Sequence, residues 1–93
     1  MRIDHVAIAV NNVEEAVKQF EKILKFDEKK FMIVEHEGVK MAMLKLEDTT
    51  IEVMEPLNDN SPIKKFLVER GEGIHHISVT ADDIEKDVQN AEK

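Results

Sequence analysis

The chain of 93 residues has no cysteine, tryptophan or tyrosine, and only three glycines and two prolines. Without cysteine there is no disulfide scaffold and no thiolate metal site. Basic residues are in deficit. Lys and Arg number 13 against 20 Asp and Glu, for a net charge of −7. A chain so acidic lacks the basic face that non-specific nucleic-acid binding requires. It also exerts no long-range attraction on an anionic ligand, which would need a local cationic spot or a metal. Long apolar runs are missing too, so no membrane span is expected. The opening "MRIDHVAIAV" mixes charge with apolar residues and reads as a strand rather than a signal peptide. These absences predict a cytoplasmic protein with neither nucleic acid nor membrane as partner.

What is present alternates strand and helix signals. Residues 3–10 form an apolar, β-branched strand, with Val6, Ile8 and Val10 on one face and His5, Ala7 and Ala9 on the other. Asn12, with Glu15 three residues on, caps an amphipathic helix carrying Val13, Ala16, Val17, Phe20, Ile23 and Leu24. Residues 31–36 and 39–46 form a hairpin around Glu37-Gly38. A strand follows at "TIEVME", ended by Pro56. Ser61 and Pro62 open a short helix that runs through Arg70 and stops at Gly71. "GIHHISV" is a further strand. Asp82 with Glu85 predicts another capped helix, still running at Lys93.

An internal repeat organises this order. "IDHVAIAVNNVEEAVKQFEK" (3–22) lies over "IHHISVTADDIEKDVQNAEK" (74–93) at a constant offset of 71 residues. Ile3, His5, Glu14, Val17, Glu21 and Lys22 meet identical residues. Shared hydrophobic pattern explains the apolar matches but not the matched histidine. The repeat predicts an α+β chain with two parts. Residues 1–72 are one βαβββ module with a connecting helix, and 73–93 are the first strand and helix of a second, incomplete module.

Strand parity then selects candidate ligands. His5 corresponds to His76, not to its neighbour His75. Counting alternate residues puts His76 with Ser78 and Thr80, and His75 with Ile77 and Val79 on the opposite, helix-covered face. Glu52 faces away from Ile51 and Val53. Three strands therefore each offer one metal-capable side chain, His5, Glu52 and His76, on the face away from the helices. Two imidazoles and a carboxylate suit Co²⁺, Mn²⁺, Ni²⁺ or Zn²⁺ without selecting among them. The second copy's equivalent of Glu52 would fall at about position 123, outside these residues. His36, beside the turn, is expected in solvent. Met32, Met41, Met43 and Met54 are expected to pack.

With these residues in place, the chain resembles the methylmalonyl-CoA epimerases of the vicinal oxygen chelate (glyoxalase/bleomycin resistance-like) superfamily. The most specific segment is "EPLNDNSPIKKFLVERGEGIHH". The resemblance implies paired βαβββ modules around a divalent metal, with Co²⁺ the first expectation. It places the family's metal ligands on His5, Glu52 and His76. The family's fourth ligand, a C-terminal glutamate that is also a candidate acid/base, would lie beyond Lys93 and has no counterpart among these residues. A second glutamate that some members carry on the third strand is replaced by Met41. No catalytic residue is therefore assigned. The implied function is metal-assisted interconversion of R and S methylmalonyl-CoA, with an acyl-CoA as partner and a truncated chain as the expected form. The alternatives are a non-catalytic half-module that homodimerises or exchanges strands, and a glyoxalase I-like lactoylglutathione lyase.

Overall fold

The computed structural model describes residues 1–81 and 84–89. Its elements run β1 (Arg2–Ala9), α1 (Val13–Glu21), β2 (Glu28–Val34), β3 (Val39–Leu46), β4 (Thr49–Pro56), α2 (Pro62–Arg70), β5 (Gly73–Ala81) and β6 (Ile84–Gln89). The caps read from sequence form. The Asn12 side chain accepts from the Glu15 amide, and the Ser61 hydroxyl accepts from the Ile63 amide with Pro62 in the first turn. A 3₁₀ turn joins β2 to β3. It closes on Gly38, whose φ of 69° is the left-handed conformation glycine tolerates.

The described strands form one six-stranded sheet in the order β2-β3-β4-β1-β5-β6. β1 lies inside it, parallel to β4 and antiparallel to β5. The two faces bury different cores. On one, α1 supplies Val13 and Val17 against Ala42, Leu44 and Val53, with Phe20 and Phe26 at the margin. On the other, α2 supplies Ile63 and Leu67 against Ala7, Ala9, Met41 and Met54, with Met32 and Met43 packed alongside. The four methionines therefore pack, as expected. α2, however, covers part of the face that carries His5, so only α1 lies wholly behind the candidate ligands.

The helix expected from Asp82 to Lys93 does not form over the described part of that segment. Ile84–Gln89 is a strand, paired antiparallel with His76–Ala81. Asp82 and Lys93, the two ends of the expected helix, lie outside the described residues. Ile84 and Val88 stand four apart, which fits a helix, but Ile84, Lys86 and Val88 also alternate. The free edge of β5 presents a row of backbone N–H and C=O groups that a local helix leaves without strand partners. Pairing with that edge overrides a weak helix preference.

Candidate metal centre

The site is built where β4, β1 and β5 lie side by side. Ala7 pairs with Glu52 on one flank and with His76 on the other, so His76, Ala7 and Glu52 form one row on one face. His5, two residues before Ala7, lies on the same face. Ala7 is fully buried and small, and it leaves the larger side chains to converge around it. His5 Nε2 lies 3.2 Å from His76 Nε2, with ring planes at 82°. Glu52 Oε2 lies 3.8 Å from His5 Nδ1. The structure brings all three sequence-predicted ligands together. His36 lies elsewhere, its side chain 82% exposed beside Glu37. The fourth ligand is placed by resemblance beyond Lys93, and Lys93 itself lies outside the described residues. No carboxylate is assigned to that role.

β1 and β5 do not pair in a simple ladder. Val6 opposes Ile77, the two positions that the 71-residue offset equates. The local two-fold of the pair thus falls on the repeat. Around it the register slips twice, leaving Asp4 on β1 and His75 on β5 as extra residues. Asp4 and His75 are themselves equivalent under the offset.

The bulge corrects the parity reading of His75. Its ring stands 5.0 Å from that of Phe66 on α2 and 5.2 Å from that of His76. Phe66 packs against the core that α2 makes with Ala7 and Ala9. His75 and His76 therefore share the site face, and His75 does not face α1. A bulge adds a residue without changing the residue types around it, so alternate counting cannot detect it.

Each bulge residue bonds the histidine that follows. Asp4 Oδ2 lies 2.9 Å from His5 Nδ1, and His75 Nδ1 lies 2.9 Å from His76 Nδ1. Asp4 also meets Arg2 at 3.4 Å. Burial raises the Glu52 carboxyl above its ordinary value, against the opposing pull of His5 and His76. Burial, then the neighbouring His76, lowers the His75 imidazole.

The donor set can be compared with the needs of a divalent ion. Imidazole nitrogens sit about 2.0–2.1 Å from zinc, so two on one ion stand roughly 3.0–3.4 Å apart. The 3.2 Å between the two Nε2 atoms fits that spacing. Glu52 reaches the same face but meets the Nδ1 edge of His5, not Nε2. Among the described residues no three His, Cys, Asp or Glu groups are spaced to hold a metal ion. The histidine pair has the spacing of two ligands of one ion, but with Glu52 at the Nδ1 edge of His5 the three do not by themselves make a cation site. Beside the site, Lys30, Met43, Lys45 and Thr50 line an open cavity of about 180 Å³ together with Glu28.

A βαβββ unit feeding a further strand, with two histidines and a carboxylate gathered on its inner strands, defines a glyoxalase-type fold. The chain belongs to the Glyoxalase/Bleomycin resistance protein/Dioxygenase superfamily, whose family model matches residues 4–93. The mitochondrial methylmalonyl-CoA epimerase of Dictyostelium discoideum is 36% identical over 84 residues, covering 89% of this chain and 51% of that protein. A single-substitution variant of Streptomyces coelicolor methylmalonyl-CoA epimerase in complex with 2-nitronate-propionyl-CoA superposes with a TM-score of 0.76 at 31% identity, covering 83% of this chain and 59% of that one. A methylmalonyl-CoA epimerase in complex with methylmalonyl-CoA and NH4+ gives 0.77 at 33% identity, covering 82% and 57%. The chain spans about half the length of the Dictyostelium relative. No helix among the described residues is long and apolar enough to cross a membrane.

Proposed function

We propose that this chain carries the metal-holding half of a methylmalonyl-CoA epimerase-type site. The observation that carries the reading is the 3.2 Å approach of His5 Nε2 to His76 Nε2, with Glu52 on the same face. His5 and His76 would hold the ion through Nε2, and Glu52 would supply a carboxylate oxygen. A bound divalent cation supplies Lewis-acid stabilisation to the enolate formed when a proton leaves the carbon between a thioester and a carboxylate. Asp4 holds the His5 ring with one edge toward that space. Ala7 keeps the floor of the site open. Lys30 and Lys45 place positive charge on the same face of an otherwise acidic chain, where an acyl-CoA carboxylate or phosphate would benefit.

Proton removal and return on opposite faces need two acid/base groups, or one group and a relay. Met41, on β3 against α2, carries no exchangeable proton. The proton-transfer carboxylate would come from beyond Lys93 or from a second copy. A homodimer in the cytoplasm is the form we propose. β2 is an edge strand, and its exposed Phe31 and Ile33 favour pairing with another chain.

Calorimetric titration of methylmalonyl-CoA into the Co²⁺-loaded chain tests the reading. Binding should require the metal and should be lost in His76→Ala. Binding that persists without metal, or preferential binding of the methylglyoxal–glutathione hemithioacetal, would contradict it. The second outcome would favour the lyase alternative.

A further inference from the structure

We propose that the cavity lined by Lys30, Met43, Lys45 and Thr50 is an oxyanion subsite. Lys30 and Lys45 supply positive charge, and Thr50 a hydroxyl donor, to a carboxylate or phosphoryl group of the ligand. The ligand's identity as an acyl-CoA rests on the epimerase-type reading, whereas the oxyanion chemistry rests on the cavity itself. Two cross-strand rows lead from the cavity to the histidines. Lys30, Met43, Glu52, Ala7 and His76 stand side by side in one. Glu28, Lys45, Thr50, His5 and Ser78 stand side by side in the next. Met32 and Met43 pack on the core beneath α2, so Lys30 and Lys45, each two residues away on its strand, share the site face.

The hairpin of β2 and β3 divides its lysines between the two faces. Lys29 and Lys40 lie on the α1 face, and each is ion-paired to that helix, Lys29 with Glu21 and Lys40 with Glu14. Lys30 and Lys45 lie on the site face, and among the described residues neither enters an ion pair. Carboxylates are not scarce, because Asp and Glu number 20 against 13 Lys and Arg. Two like charges at one cavity repel each other, and an anion between them turns that repulsion into attraction.

Size and charge agree with one small anionic group. The cavity of about 180 Å³ has the volume of about six liquid waters, which suits a carboxylate or phosphoryl group with part of its hydration. Each lysine ammonium acts as a point charge with three donors and accepts such a group in many orientations. Glu28 is also in the lining and opposes an anion, yet two lysines against one glutamate leave a positive charge in excess. Met43 stands between Lys30 and Glu52 in its row and separates a bound anion from the Glu52 carboxylate. Neighbouring strands lie about 4.8 Å apart, so the backbone of Lys45 is about 10 Å from that of His5, two strands away. An anionic group of a ligand seated on the histidines falls within that span.

The test is ¹H–¹⁵N NMR titration of the labelled 93-residue chain at low salt and neutral pH. The probes are inorganic phosphate, methylmalonate, which carries only carboxylates, and propionyl-CoA, whose only anionic groups are phosphates. At least one probe should shift the amides of Lys30, Met43, Lys45 and Thr50 saturably, and added sodium chloride should weaken the effect. Whether methylmalonate or propionyl-CoA does so tells which end of an acyl-CoA the subsite takes. Lys30→Gln and Lys45→Gln should each weaken binding about twofold to fivefold, as expected for exposed charges. Glu28→Gln should tighten it by a similar factor, a gain that a damaged fold does not produce. Saturation by phosphate supports the subsite even in a chain that fails to bind methylmalonyl-CoA, so failure of the epimerase-type reading is told apart from failure of the subsite. No saturable shift at these amides with any probe overturns the proposal, as does wild-type affinity in all three variants with the fold intact.

Discussion

His5 and His76 stand diagonally across the antiparallel pair of β1 and β5, with their Nε2 atoms 3.2 Å apart and Ala7 beneath them in the register. This diagonal follows from the centring of the strand pair on Val6 and Ile77. A slip by one residue would send one imidazole to the α1 face and dissolve the pair. The core packing that fixes the register is therefore the first determinant of the site.

That packing can be probed at Leu44, which is fully buried between the sheet and α1. Leu44→Ala should destabilise the fold by about 2–5 kcal/mol through lost transfer energy and a cavity. Urea unfolding followed by circular dichroism gives the value. A cost under about 1 kcal/mol would show that the α1 face does not hold the sheet.

Ala7 gives the opposite test. It has no exposed surface and lies between Glu52 and His76 in its row. Ala7→Val adds two methyl groups to a filled space, and overpacking of this kind costs about 1–3 kcal/mol. Unfolding and Zn²⁺ titration of the same variant should both worsen. Stability that falls while metal affinity stays at the wild-type value would place the cation away from Ala7.

Gly38 and Ser61 form a joint between the β2–β3 turn and the start of α2. A Cβ at position 38 would lie 3.3 Å from Ser61 Cβ, at a φ of 69° that disfavours any side chain. Ser61→Ala removes a helix cap and should cost about 0.5–2 kcal/mol. Gly38→Ala should cost about 1 kcal/mol or more. A double-mutant cycle should show the two are not additive, because they share the contact.

The Lys40–Glu14 ion pair ties β3 to the first turn of α1. The hydrogen bond from Lys40 holds the Glu14 carboxyl below its ordinary value. A lowered folded-state value contributes stability above the ordinary carboxylate range, and this is lost as the pH falls through the lowered value. The pair is open to solvent, so the effect should be small and should fade with added salt. Comparing the acid limb of thermal unfolding for wild type and Glu14→Gln, at low and high salt, measures it.

Much of this was legible in the sequence. The caps at Asn12 and Ser61, the turn at Gly38 and the alternation in β1 and β4 each depend on neighbouring residues, and local patterns record local causes. His5, Glu52 and His76 could be placed on one face because the offset identified the paired histidines and alternation supplied their direction. What depended on strand pairing was not legible. The bulges at Asp4 and His75 are mismatches between two strands and leave no mark in either one alone. Ile84–Gln89 took the strand form because β5 offered an edge, whereas its own spacing allowed either structure. α2 lies on the site face because Ile63 and Leu67 meet Ala9 and Met54, a packing contact between elements that neither segment records alone.

The most direct measurement is isothermal calorimetry of Co²⁺ and Zn²⁺ with the wild-type chain and with His5→Ala, His76→Ala and Glu52→Gln. One site per chain, loss of binding in either histidine variant and weakened binding in Glu52→Gln are the expected results. Wild-type affinity in His5→Ala or His76→Ala, with the fold intact, would contradict them.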